Sequence, residues 1–246
     1  MRTLVAIPVF NEENYVTKVL EEVRRYYAGD VLVVDDGSTD QTPLLLTRQP
    51  VDVIRHASNR GYGRSLKDAF RWSISYSYEW LITMDCDEQH EPASLPDFYA
   101  AIALNNADII SGSRYLTSDR FGDSPPADRQ AINAKVTQLV NDQLGLSITD
   151  AFCGFKAYRV AALKQLTFDE SGYAFPLQFW VRAAACGLRM AEVPVRLIYK
   201  DPNRNFGGLL DNPDQRMRHY QQVFDAELAK FPDKFRAGYA VCAAGG

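Results

Sequence analysis

Five short apolar runs, TLVAIPV (3–9), VLVVDD (31–36), VDVIR (51–55), WLITMD (80–85) and DIISGSRY (108–115), alternate with helix-like segments through the first half of the chain. The intervening segments are EENYVTKVLEEVRRYY, DQTPLLLTR, GRSLKDAFRWSISYS and PASLPDFYAAIALNN. In the first, Val16, Val19, Leu20 and Val23 make a one-sided stripe with charge opposite, and Leu66, Phe70 and Ile74 do the same in the third. Strand, helix, strand, repeated in this way, predicts an α/β fold: a mostly parallel central sheet with helices on both faces. In such a sheet the loops that follow the strands share one edge, which is where ligands collect.

The polar clusters fall at those predicted strand ends. NEE follows the first strand, DDGSTD the second, NRGYGRS the third and DCDEQH the fourth. Four loops would not all need carboxylates, Gly and Asn merely to turn, so their convergence marks a candidate site. The second half is less regular. A loop rich in Asp, Ser, Gly and Pro, TSDRFGDSPPAD (117–128), is long for a compact domain and suits a functional segment. A helix over RQAINAKVTQLVNDQLG follows, with Ile132, Val136, Leu139 and Val140 inward and Gly145 ending it. GFKAYR, a helix at about 174–186 and a strand MAEVPVRLIY come next; Met217, Tyr220, Phe224, Leu228 and Phe231 then form an apolar stripe over 214–231. We expect one domain over 1–246, with two functional halves, 1–115 and 116–211, and a C-terminal amphipathic helix (212–231).

Composition excludes several classes. A net charge of −4 argues against a general nucleic-acid binder. No apolar run reaches the length of a membrane span, and the N-terminus runs into charged residues without a signal-peptide core. Four cysteines with no CxxC spacing read as reduced thiols. A cytoplasmic protein is the expectation.

MDCDEQH carries the most chemistry. Asp85, Asp87 and Gln89 alternate, so an extended chain would present three oxygens to one cation, and hard oxygen ligands suit Mg²⁺ or Mn²⁺ beside substrate phosphates. The bland alternative is a turn cap with solvated acids; the neighbouring acidic loops favour the metal. In VVDDGSTD, Gly37 makes a turn and Thr39 or Asp40 starts a helix, but two adjacent carboxylates, Asp35 and Asp36, exceed what a turn needs. A carboxylate there suits a nucleobase N–H. NRGYGRS fits neither P-loop nor dinucleotide spacing.

Taken in order, IPVFNEE, VVDDGSTD, NRGYGRSLKDAF, MDCDEQHEP, SGSRY and AFCGFKAYR resemble the motifs of glycosyltransferase family 2 across roughly residues 3–200, and within it the polyprenol-phosphate mannose synthases. The resemblance implies a GT-A-like fold, a nucleotide-sugar donor (GDP-mannose or a UDP-hexose), Mg²⁺ or Mn²⁺, a polyprenyl phosphate acceptor and inversion at the anomeric carbon. Carried over by motif, Pro8, Phe10 and Glu12 line the nucleotide pocket, Asp36 contacts the base, and Asp85, Cys86 and Asp87 lie at the donor with Gln89 completing the metal set. Arg114 meets the phosphates, while Arg129 and Asn133, four apart on one helix face, meet the acceptor phosphate. Phe10 stands for the usual Tyr, Cys86 for Ala and Asn133 for Ser. Gln178 replaces a Glu, and Lys200 or Arg204 must stand in for the usual basic closing segment. The spanning tail of many relatives has no counterpart here, so contact with a membrane would be peripheral.

On this reading Asp87, Arg114 and Arg129 are the catalytic group. A polyprenyl phosphate is already an anion and needs no strong base, so alignment and charge neutralisation do the work. An acceptor hydroxyl would need a base, with Asp150 or Glu170 as candidates. A nucleotidyltransferase would carry a Gly- and Lys-rich first loop, which VAIPVFNEE lacks. A non-catalytic nucleotide-sugar binder is the remaining alternative, and the metal triad speaks against it.

Overall fold

β1 (Thr3–Val9) is apolar along its length and buried on both faces except at Pro8, which suits the middle of a sheet. The computed structural model, which describes residues 1–86, 91–117, 126–196, 198 and 208–235, places it between β2 (Asp30–Asp35) and β4 (Trp80–Thr83). β3 (Asp52–Arg55) pairs outside β2; beyond β4 lie β6 (Lys156–Arg159), β5 (Ile109–Ser113) and β7 (Met190–Pro194). The described residues thus form one sheet in the order β3-β2-β1-β4-β6-β5-β7. All strands run one way except β6, which is antiparallel to both β4 and β5.

Helices cover both faces, as the alternation predicts. α1 (Val16–Tyr26), α2 (Thr42–Leu46) and α4 (Leu95–Ala103) close one core, where the stripe Val16, Val19, Leu20 and Val23 is fully or nearly fully buried. α3 (Tyr62–Ser75), α5 (Ala127–Leu144), the short α6 (Val160–Leu163), α7 (Phe175–Ala185) and α8 (Pro213–Leu228) close the other. On α8, Tyr220 and Phe224 are buried, and Met217, Leu228 and Phe231 pack partly buried against the same core. Among the described residues no helix is long and apolar enough to cross a membrane. Cys86, Cys153 and Cys186 are free thiols.

The reversal of β6 has a local cause. Gly145, at φ 67°, caps α5 in the left-handed conformation and turns the chain back along the helix it has just left. Three polar side chains one turn apart on α5 hold the returning segment. Asn141 exchanges two hydrogen bonds with Ile148 (2.8 and 3.0 Å), Thr137 Oγ1 accepts from Ala151 N (3.0 Å), and Asn133 Nδ2 donates to Asp150 Oδ1 (2.8 Å). The chain therefore re-enters the sheet from the edge at which the parallel strands end, and delivers residues 150–154 to that edge.

Candidate active site

Between β1 and β4 the strand order reverses, since the chain passes from β1 to β2 on one side and reaches β4 on the other. Loops leaving the two strands diverge there and open a crevice. Pro8, near the end of β1, is half-buried, and Phe10, just beyond that strand, is 42 % exposed. Glu12 is buried, with its backbone N–H on Thr42 Oγ1 (2.8 Å) and its carbonyl starting α1.

The loops after β1 and β2 are laced together. Asn11, in the left-handed region at φ 56°, donates its backbone N–H to Ser38 Oγ (2.9 Å) and accepts at Oδ1 from Thr39 N (2.8 Å). Glu13 N donates to Asp40 Oδ2 (3.0 Å), and Gln41 N donates back to Glu13 Oε2 (2.9 Å). Asp40 also accepts from Thr42 N at the start of α2, and Asp35 accepts from Ser38 N while pairing with Arg55 at 3.3 Å. The sequence reads Asp35 as exceeding what a turn needs, yet it and Glu13 satisfy backbone N–H groups and one arginine, while Asp40 meets the start of α2 as the sequence predicts.

Asp36 is buried and central. Its Oδ1 accepts from Arg60 N (2.8 Å) and faces His56 Nδ1 (2.6 Å), and its Oδ2 accepts from Gly61 N (2.8 Å). The NRGYG segment is thus folded around a carboxylate rather than around a phosphate. Gly61 is needed twice over: its φ is +96°, and a Cβ there would collide with the Ser171 carbonyl.

β4 ends at Thr83, two residues earlier than the sequence suggests, and Asp85 follows half-buried between the buried Met84 and Cys86. The Tyr62 hydroxyl donates to Asp85; burial, and then the Asp85 charge, raise the Tyr62 pKa well above its ordinary value. Gly154 lies against the Asp85 carboxylate so closely that a Cβ would strike both of its oxygens. Lys156, buried on β6, donates to the Cys153 carbonyl and sits 5.2 Å from the Trp180 ring centre. Burial lowers its pKa, against the pull of Cys153, Asp150 and Asp85. Asp85 supplies a hard oxygen at the crevice floor, which fits Mg²⁺ or Mn²⁺. Asp87 and Gln89, the other two predicted ligands, lie outside the described residues, as do Lys200 and Arg204.

Arg114 follows β5 and forms a forked pair with Asp150: Nε to Oδ2 at 2.6 Å and Nη2 to Oδ1 at 2.9 Å. Asp150 is fully buried. Burial alone would raise its pKa, but the Arg114 charge and hydrogen bonds, with Asn133 adding, bring it down to about 2. Asn133 gives Nδ2 to Asp150 and Oδ1 to Thr137 (3.0 Å), so both ends of its amide are used inside the protein. Arg129 is half-buried in the first turn of α5, one turn before Asn133. Gln178 lies buried on α7, outside this cluster, and ties α7 to α8.

Structure therefore brings Asp36, Asp85, Arg114 and Asn133 to the edge that the sequence designates. It places Asp150, named from the sequence only as a candidate base, against Arg114, and adds His56, Tyr62, Gly154 and Lys156, which sequence reasoning assigns no such position. Their one shared signal is adjacency to a named motif, since His56 precedes NRGYG and Gly154 and Lys156 lie within AFCGFKAYR.

Residues 4–167 match the family described as glycosyl transferase family 2. The chain is 31% identical over 210 residues to an undecaprenyl-phosphate mannosyltransferase of Micrococcus luteus, covering 82% of this chain and 85% of that one. It is 30% identical over 204 residues to a polyprenol monophosphomannose synthase of Mycolicibacterium smegmatis, covering 79% and 76%. Among solved structures, glucosyl-3-phosphoglycerate synthase from Mycobacterium tuberculosis, in complex with Mn²⁺, uridine diphosphate and glucosyl-3-phosphoglycerate, superposes with a TM-score of 0.69 at 16% identity. The match covers 93% of this chain and 79% of that one. The α/β architecture is GT-A-like.

Proposed function

The chain belongs to glycosyltransferase family 2, and from that premise we propose that it moves a hexose, mannose first among candidates, from a nucleoside diphosphate sugar to a polyprenyl phosphate. One observation carries the choice of acceptor: Asp150, a candidate base for a hydroxyl acceptor, is fully buried and locked to Arg114, with its pKa near 2. Such a carboxylate does not collect a proton near neutral pH. Glu170, the other candidate, accepts from the backbone N–H groups of Ser171 and Gly172. A phosphate acceptor is ionised already and needs neither. The names of the Micrococcus and Mycolicibacterium relatives support the same acceptor class.

In the reaction an acceptor phosphate oxygen attacks the anomeric carbon from the face opposite the diphosphate, the new C–O bond forms as the old one breaks, and the configuration inverts. Residues 1–115 bind the donor, with Pro8, Phe10 and Glu12 around the nucleotide and Asp36 on its base. Residues 116–211 supply Arg129 for the acceptor phosphate. Asp85, Asp87 and Gln89 would hold Mg²⁺ or Mn²⁺, which when bound neutralises charge developing on the leaving diphosphate. Arg114, braced by Asp150, presents a fixed positive charge near the same point. Its lipid acceptor places the protein at the cytoplasmic face of a membrane, by peripheral contact.

The test is transfer from GDP-mannose and from UDP-hexoses, with Mg²⁺ or Mn²⁺, to a polyprenyl phosphate and, in parallel, to the corresponding dephosphorylated polyprenol. Product is expected on the phosphate alone. Arg129→Ala should reduce that turnover about ten- to hundredfold, the scale of one charge-assisted contact, with donor binding retained. Equal transfer to the free alcohol, or full activity in Arg129→Ala, would reverse the assignment of the acceptor.

A further inference from the structure

His56 follows β3, is 8 % exposed as a residue and has its imidazole held between two carboxylates. Nδ1 faces Asp36 Oδ1 at 2.6 Å and Nε2 faces Asp68 Oδ2 at 3.0 Å. A carboxylate only accepts, whereas a neutral imidazole offers one N–H and one lone pair. A neutral ring would therefore turn a lone pair toward an anionic oxygen at one of these two contacts.

The carboxylates cannot supply the missing proton without losing donors of their own. Asp36 accepts from the backbone N–H groups of Arg60 and Gly61, both at 2.8 Å. Asp68, on α3, accepts from Arg64 Nε at 2.6 Å and Arg71 Nη1 at 3.0 Å. The preceding residue, Arg55, is paired with Asp35. Around the ring stand Asp36 from the β2–α2 loop and Asp68 from α3, with Arg64 and Arg71 beyond. Every donor in this set is used by an ionised acid, and the only arrangement that satisfies both contacts is a doubly protonated ring.

We propose that His56 is held as an imidazolium and is a positioning residue for nucleotide binding, a role that rests on the reading of Asp36 as the contact to the base. The imidazolium links α3 to the end of β2 through Asp68, and fixes Asp36 from one side while the 60–61 backbone fixes it from the other. That backbone is itself backed by residue 171, whose carbonyl accepts from Arg64 N at 3.2 Å. Three donors, each on a different line of approach, leave the carboxylate one orientation, with acceptor capacity on Oδ2 for a ligand N–H. The ring is one of three donors to Asp36, so affinity for the nucleotide falls when it is lost.

Two measurements on the full chain test this. In NMR of ¹⁵N-histidine-labelled protein without nucleotide, one ring should show both nitrogens protonated at neutral pH, and that signal should vanish in His56→Gln. Calorimetric binding of UDP and of GDP with Mg²⁺ should weaken about ten- to hundredfold in His56→Gln. A single neutral tautomer for His56 at neutral pH overturns the proposal, as does identical nucleotide affinity in wild type and variant. If His56→Gln fails to fold, the wild-type NMR still decides. A wild-type chain that binds neither nucleotide overturns the donor-site reading itself and the positioning role with it, and the NMR then judges the imidazolium separately.

Discussion

At Gly154 the Asp85 carboxylate occupies the space that a side chain would take. Gly154→Ala sets a methyl group against the end of one short acidic side chain, which can swing away, so the fold should survive with little loss of melting temperature. The carboxylate would leave the position in which Tyr62 holds it. Metal-dependent nucleotide binding should therefore drop at least about tenfold, the equivalent of one lost charge-assisted contact. Titration of the nucleotide with and without Mn²⁺ checks this, and unchanged metal-dependent binding would show that the position of Asp85 is not used. Single residues also mark where sequence reasoning stops. Asp36, Asp85 and Arg114 are legible because each follows an apolar run and belongs to a motif. The roles of Asp150 and Gly154 are not, because they come from the Arg114 and Asp85 side chains, tens of residues away in the chain, that rest on them.

Elements show the same division. The stripes on α1 and α8 are plain in the sequence because apolar side chains repeat at helical spacing, and both stripes are buried or packed on a core. The ladder on α5 is not, since Asn133 reads as an acceptor contact and nothing marks Thr137 and Asn141 until the chain turns at Gly145 and needs partners for its backbone. Gln178 on α7 is a sharper case. Its Oε1 accepts from Asp169 N (3.0 Å) and Glu170 N (2.9 Å), and its Nε2 donates to Asp169 Oδ1 and to buried Glu227 Oε1 (2.6 Å). A Glu at this position could not donate to two carboxylates, so the amide belongs to a network with Arg182, Glu227 and Lys230 that joins α7 to α8. Gln178→Glu should thus destabilise the protein by about 1–3 kcal/mol near neutral pH. Crowded by two acids, the new carboxyl would have its folded pKa raised above the unfolded value of about 4.3. A raised folded pKa means full relative stability below the unfolded value and loss as pH rises through the folded one. Melting curves of variant and wild type should accordingly converge in acid and separate toward neutrality. Coincident curves at neutral pH would remove the charge argument.

For the molecule as a whole, the direction of the parallel strands and the edge that carries the site follow from the alternation of apolar runs and helices. The reversed β6 does not, because a short strand such as KAYR looks the same in either direction. Neither does the way the C-terminal apolar stripe is used. That stripe could have faced a lipid surface; it packs instead on the core shared with α3, α5 and α7, with Phe224 fully buried. Phe224→Ala should then cost about 3–5 kcal/mol of folding stability, as truncation of a buried aromatic does, and should leave vesicle binding by the folded fraction unchanged. With α8 committed to the interior and a net charge of −4, contact with a membrane has to run through local basic groups meeting phosphate headgroups. Such contacts are screened by salt. The wild-type chain should therefore float weakly with anionic vesicles at low ionic strength and be released at high ionic strength. Tight, salt-resistant flotation, abolished by Phe224→Ala under conditions where the variant remains folded, would mean that α8 leaves the core to reach the bilayer, and the packing described here would then be one of two states.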